Sequence, residues 1–423
     1  SWPRIDETGR FVVFDDQTNV FRWDAQDQSK QLVSVGVDGL QPGYGISRWP
    51  ALSPDGQMVA FMSTSTNLLA NFTGGGSNFF QLYTRDMAAG TTRLASVRMD
   101  GRASTADLWP SVYAFSPDGR RLAFDCRDDG LAPEDLNRNS DVFVRDLIAE
   151  TTELVSRRHP ERPARTGAAP SFVRPGALSF DGRWVVFAGN DNSFATHDTN
   201  GVRDLFVRDL ATGDVLPLST GTNGAFIPNQ IATFPCLSSN GQYALYCTID
   251  PFAGGMPVRR LMWRDLGRGI LEEVDPAFDY NGAQLWDQDH YPLPLLSPDG
   301  RWVAYARSVP SGINIFLRDM FARTNLLISA SYADPALLAT GNSKCPAISP
   351  DQRWVVFQSM AGNVWTNTPG GYFLLYARNL VSNTTRVISL FEPNGRPRII
   401  TPTTYVFSGS GRFLAFSDTS TNS

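Results

Sequence analysis

Apolar and polar residues alternate along this chain in short runs, and one tight turn breaks the pattern again and again. The second unit shows it: Trp49-Pro50-Ala51-Leu52 leads into a turn, Met58-Val59-Ala60-Phe61 follows, then Gln81-Leu82-Tyr83-Thr84-Arg85-Asp86 and Thr92-Arg93-Leu94-Ala95-Ser96-Val97. Period-two alternation, rich in β-branched and aromatic residues and bounded by Gly, Asn and Asp, predicts four strands. The turn returns as Asp6-Glu7-Thr8-Gly9, Ser53-Pro54-Asp55-Gly56, Ser116-Pro117-Asp118-Gly119, Ser179-Phe180-Asp181-Gly182, Ser238-Ser239-Asn240-Gly241, Ser297-Pro298-Asp299-Gly300, Ser349-Pro350-Asp351-Gln352 and Ser408-Gly409-Ser410-Gly411. The spacing is 47 to 63 residues.

Self-similarity at that period, with only strand-forming sequence in each unit, marks a radial array in which no sheet buries its faces until neighbours stack on it. The expected fold is all-β, a β-propeller of four-stranded antiparallel blades forming a single domain over 1–423. Complete units fall at about 2–35, 48–97, 109–156, 175–219, 232–274, 291–330 and 344–390, with a two-stranded eighth at 403–417. Tyr405-Val406-Phe407 and Phe413-Leu414-Ala415-Phe416 keep the inner-strand pattern, which favours an eight-membered ring over seven blades with an added hairpin. An unfinished blade leaves a strand edge that invites pairing with sequence beyond Ser423 or with a partner chain.

An aromatic closes the second strand of every unit, from Phe14, Phe61 and Phe124 to Phe416, and is read as inter-blade core. The third strand ends in Arg-Asp, as in Arg85-Asp86, Arg145-Asp146 and Arg208-Asp209. The Asp is expected to open the next turn and the Arg to pair between blades. Ser-Pro-Asp-Gly, an apolar strand and then Tyr/Phe-x-Arg-Asp-Leu resemble the TolB-type, WD-repeat-like propeller repeats of bacteria. That resemblance implies a periplasmic, secreted or cell-surface protein. It also implies a non-catalytic binding or scaffold role, since the family includes envelope adaptors and non-catalytic domains attached to peptidases.

With 42% hydrophobic and 19% charged residues the chain is expected to fold and pack. A net charge of -5 gives no basic surface for nucleic acid, and no apolar run reaches the ~18 residues of a membrane helix. The sequence opens at Ser1 with neither Met nor signal peptide, as a processed or trimmed start would. Lys30 and Lys344 are the only lysines among 37 basic residues, so lysine chemistry is not expected. Four cysteines are too few for a disulfide framework; Cys126 and Cys345 read as buried hydrophobes, and Cys236 and Cys247 are offset across one hairpin.

First-to-second and third-to-fourth connections are short, whereas the other two classes are long and emerge on one face. Binding residues concentrate on such loops. Arg158, Arg162 and Arg165 make one loop basic, Phe278, Tyr280 and Trp286 make another aromatic, and Trp365 adds a third; Phe72, Phe194 and Phe252 sit in comparable loops. Two equivalent loops alternate Asp and Asn oxygens, Asp135, Asn137, Asn139 and Asp141 in the third unit and Asp198, Asn200 and Asp204 in the fourth. That spacing suits Ca2+, although the bidentate Glu of an EF-hand is missing and self-capped turns explain the same residues. No other cofactor is expected.

His159, His197 and His290 are scattered, and no Gly-x-Ser-x-Gly elbow, haem site or phosphate loop is present. The sequons at Asn71 and Asn383 fit chance occurrence. The main expectation is therefore a non-catalytic module with protein partners. The alternatives are a carbohydrate-active lyase or hydrolase using Glu272, Asp287 or Asp289 near the axial channel, and a calcium- or ligand-binding sensor.

Overall fold

The computed structural model describes residues 3–73, 79–106, 108, 113–116, 118–133, 135–157, 169–174, 176–228, 230–251, 258–276, 294–366, 370–389 and 400–418. Every regular element in them is a strand. Seven four-stranded antiparallel sheets follow one another in chain order, β1–β4 (Arg4–Ile5 to Lys30–Leu32) through β25–β28 (Ser343–Ile348 to Thr384–Val387). A two-stranded sheet, β29 (Ile400–Phe407) and β30 (Leu414–Asp418), comes last.

Each turn between first and second strands is built alike. In blade 2 the Ser53 hydroxyl donates to Asp55 at 2.5 Å and accepts the Met58 amide at 2.8 Å. The same pair of bonds recurs from Ser116, Ser179, Ser238, Ser297 and Ser349. Asp6 takes the role of the serine in blade 1 by accepting the Phe11 amide at 2.9 Å. The last turn residue adopts positive φ, which Gly accepts without cost and which Gln352 alone adopts with a side chain.

These turns also join the blades. A Cβ on Gly56 would lie 2.4 Å from the Phe11 ring of blade 1, one on Gly241 2.5 Å from Trp184, and one on Gly300 2.1 Å from Tyr243. In these blades the aromatic that starts the second strand therefore lies on the backbone of the next turn, whereas blades 2 and 3 start theirs with Met58 and Arg121. Backbone bonds between neighbouring turns reinforce this: Glu7 N–H to Pro54 O, Phe180 N–H to Ser239 O and Ser239 N–H to Pro298 O, at 2.6 to 2.8 Å. Pro54, Pro298 and Pro350 have no N–H to pass on.

The contact that closes the ring is of the same type. Gly9 of blade 1 sits on Phe413 of the last hairpin, 2.1 Å from where its Cβ would be, and Ser410 N–H donates to Glu7 O at 2.8 Å. On its other side β29 packs against β25. The hairpin is thus the eighth blade of a closed ring, as expected, and among the described residues no strand from the other end of the chain completes it.

First strands neighbour one another around the axis, β1 (Arg4–Ile5) beside β5 (Ser47–Leu52) and β29. Bulges kink β5, β17 (Ile231–Leu237) and β25 where Trp49, Phe234 and Cys345 adopt positive φ immediately before a proline. A proline cannot donate to the ladder, so the strand bends there. Between blades the core is aromatic. Phe61 stacks on Tyr83 of its own third strand at 5.8 Å and faces Val13, Val20 and Val33 of blade 1.

Some expectations need correction. The Arg of the Arg-Asp pair reaches the adjacent blade only at Arg22, Arg208 and Arg264; Arg85, Arg145 and Arg378 bond instead to their own fourth strands. The Asp caps the following turn as expected, with Asp86 accepting the Ala88 and Ala89 amides. Not every second-to-third connection is long, since β22 (Trp302–Val309) and β23 (Gly312–Asp319) join directly. All four cysteines are free, and Cys236 pairs with Leu245 while Cys247 pairs with Thr233, so the offset read from the sequence holds.

Gly300→Ala tests the turn contact. It forces Tyr243 aside and strains a backbone at φ 77°. Gly269→Ala meets the strain alone, because nothing lies within 4 Å of its Cβ position at φ 67°. Both are expected to destabilise, Gly300→Ala by about 1–3 kcal/mol more, measured as the difference in denaturation midpoints. Equal losses would contradict the contact.

Candidate functional site

Two places stand out among the described residues. The first is the flank of blade 8. Blades 1 and 7 each continue outward by two strands past β30, so its free edge lies at the bottom of a slot about 10 Å deep, two strand spacings. In blades 2, 3, 4, 6 and 7 the stacked aromatics of second and third strands are buried, for example Phe61–Tyr83, Phe124–Phe143 and Phe187–Phe206. The equivalent pair in blade 1, Phe14 and Phe21 at 5.8 Å, is only half-buried. It faces the position where third and fourth strands of blade 8 would lie. Lys30 covers part of it, with Nζ 4.6 Å from the Phe21 ring centre. Phe416 is also half-buried and has no third-strand aromatic to stack on.

The second place is the pair of long loops joining second to third strands in blades 3 and 4. Asp135 is fully buried, and neither of its carboxylate oxygens has a hydrogen-bond partner. Asp141 opens β11 (Asp141–Asp146) and Asp204 opens β15 (Asp204–Asp209). Each is buried and accepts a serine hydroxyl on Oδ1, from Ser156 and Ser219, at 2.6 Å. Oδ2 of each is buried without a partner.

Burial disfavours the charged form of these groups. It pushes Asp135 up to about 8, with the neighbouring charges of Asp141 and Asp129 adding to the effect. Burial likewise raises Asp141 to about 6 and Asp204 to about 7, and Asp125, on the adjacent second strand, to about 7. Other face carboxylates differ. Asp128, although buried, is held below the usual range by the Thr105 and Gly130 amides and by Arg98 at 2.6 Å. Asp275 receives the Tyr305 hydroxyl and Arg307 at 2.8 and 2.9 Å.

The remaining sequence candidates divide. Arg158, Arg162, Arg165, Phe278, Tyr280, Trp286, Phe252, His159, His290, Asp287 and Asp289 lie outside the described residues. Trp365 is half-buried against the core of blades 6 and 7, so much of its ring serves packing. Phe194 is wholly buried, edge-on to Phe187 and Phe206 at 5.4 and 5.1 Å, and Phe72 packs on the core of blades 1 and 2. Glu272 lies on the outermost strand of blade 5, paired with Arg323 at 2.6 Å, away from the axial channel. Asn137 and Asn200 lie beside Asp141 and Asp204, while Asn139 donates its amide to Asn137 at 2.8 Å. Sequence reasoning missed Asp125 and Asp129, which precede the loop motif. The signal available was the equal spacing of the two loops.

No protein-family model and no curated protein sequence matches the chain. Solved structures do. Dipeptidyl peptidase 4 of Porphyromonas gingivalis is similar over 98% of this chain and 55% of its own, with 12% identity and a TM-score of 0.63. A prolyl endopeptidase structure is similar over 94% and 53%, with 11% identity and a TM-score of 0.52. The protein is a β-propeller. It spans little more than half the length of those two chains. TolB from Acinetobacter baumannii is similar over 77% of this chain and 61% of its own at 16% identity, with a TM-score of 0.37, too low to assign a family. Among the described residues no helix is long and apolar enough to cross a membrane.

The raised carboxylates set a pH dependence. An unfolded chain releases these protons near the ordinary value of 3.8, whereas the folded protein holds them to between about 6 and 8. Across that window the folded state binds more protons, so the stability they contribute is full below pH 4 and is lost as pH rises. In chelator-treated buffer Asp135→Asn should melt above wild type at pH 8.5, with the gap much narrower at pH 5. A gap that is the same at both pH values would contradict the assignment.

Proposed function

We propose that this propeller is a non-catalytic binding module of a bacterial extracytoplasmic assembly, and that a partner protein completes blade 8 by strand addition. The observation that carries this reading is the half-buried Phe14–Phe21 pair at the wall of a slot whose floor is a strand edge that no other described strand pairs with. The extracytoplasmic setting rests on the resemblance of the repeats alone.

The slot defines its occupant. Blades 7 and 1 protrude on either side of β30, so the same edge of a second propeller, equally recessed, could not reach it. A protruding hairpin or extended segment could. In complete blades the third strand places an aromatic toward the preceding blade and aliphatic residues toward the following one, as Phe143 does between Val142 and Val144. The partner segment needs the same alternation, its aromatic over Phe416 and its aliphatic side chains on Phe14 and Phe21. Main-chain bonds to β30 supply affinity, and these pockets supply specificity.

A synthetic peptide of residues 140–155, the third and fourth strands of blade 3, serves as a probe. It is expected to bind saturably and raise Tm, and Phe21→Asp should weaken it at least tenfold, about 1.4 kcal/mol. Failure of this peptide to bind, or equal binding of a scrambled version, would overturn the reading.

A further inference from the structure

The acidic loops of blades 3 and 4 are copies of each other. Residues 126–141 align with 189–204 without insertion, setting Asp129 on Asn192, Asp135 on Asp198, Asn137 on Asn200 and Asp141 on Asp204. The backbones agree as well: Arg138, at φ 56°, stands where Gly201 takes φ 70°. Among the unsatisfied atoms one pair corresponds, Oδ2 of Asp141 and Oδ2 of Asp204. Both oxygens of Asp135, Oδ2 of Asp141 and Asp204, and Oδ1 of Asn192 are buried without a hydrogen-bond partner.

Negative charge at the start of the third strand is not needed for folding. Blades 1, 2 and 6 make the same latch to a fourth-strand serine with neutral amides, Asn19 to Ser34, Gln81 to Ser96 and Asn314 to Ser329. Aspartate appears there only in blades 3 and 4, the two with the Asp-x-Asn loop. The charges acting most strongly on Asp135 are themselves acidic: Asp141, Asp129 and Asp128. A buried carboxylate among like charges needs a proton or a cation to compensate it.

We propose that each loop encloses one hard divalent cation of the Ca2+ class, held in blade 3 by Asp135 and Asp141 with Asn137, and in blade 4 by Asp198 and Asp204 with Asn192 and Asn200. Oxygen is the only donor element these side chains offer, which suits Ca2+ and not a softer metal. Among the described residues no three carboxylate, histidine or cysteine side chains converge as a ready ligand set. Amide and main-chain oxygens therefore complete the six to eight positions that Ca2+ takes. Cation binding would fix the two loops and with them one sector of the elaborated face.

Chelator-treated protein titrated with CaCl2, followed by native mass spectrometry and calorimetry, tests this. Two bound ions and a rise in Tm reversed by chelator are expected. Asp135→Asn should remove one ion, Asp204→Asn the other, and the double variant both. Asn is isosteric and adds no buried charge, so circular dichroism should show both variants folded. No bound Ca2+ at millimolar concentration in folded wild type would overturn the proposal in favour of protonated carboxylates. Two ions retained by the double variant would overturn the location.

Discussion

The ring depends on turn-to-turn contact between neighbouring blades, made in four of them by an aromatic at the start of the second strand, Phe11, Trp184, Tyr243 or Phe413, lying on the turn glycine of the next blade. A four-stranded sheet has two apolar faces and cannot be stable alone. Each blade buries one face on its predecessor and one on its successor, and the turn contact sets the spacing and angle at which they meet. Where positive φ and close approach coincide, as at Gly9, Gly56, Gly241 and Gly300, glycine is required. Phe413 on Gly9 repeats Phe11 on Gly56, which is why two strands suffice to close a ring of eight.

Closure with two strands has a cost at the outer rim. Inner strands bring the turns together, but the outer half of the space between blades 7 and 1 is not filled by the eighth sheet. Phe14 and Phe21 face that space in the position where blades 2, 3, 4, 6 and 7 have a covered pair. The same geometry that makes the ring whole thus leaves an edge and an apolar wall side by side. The acidic loops are independent of it, set on the elaborated face of blades 3 and 4.

Much of this was legible in the sequence because local patterns carry it. The Ser-Pro-Asp-Gly turns, the strand ending in Phe61 and the strand Gln81–Asp86 emerge where alternation and turn chemistry place them. The half-built blade was visible in Phe413 to Phe416. What escaped depends on contacts across blades. Phe194 reads as an exposed loop aromatic, yet it turns inward because the loop folds over its own blade. Glu272 reads as a channel carboxylate only until its strand is seen to be the outermost. At the acidic loops the spacing was legible, but burial and the orphaned oxygens of Asp135 were not, since both come from packing.

Residue-resolved amide hydrogen exchange over Leu414–Asp418 tests the central claim most directly. In β30, amides that pair with β29 should be protected and those facing the slot should exchange freely, giving a period-two alternation, while the Ser410 amide, bonded to Glu7, stays protected. Uniform protection of β30 would mean that its edge is already covered within the chain. Free exchange throughout, Ser410 included, would mean that the hairpin is not part of the ring.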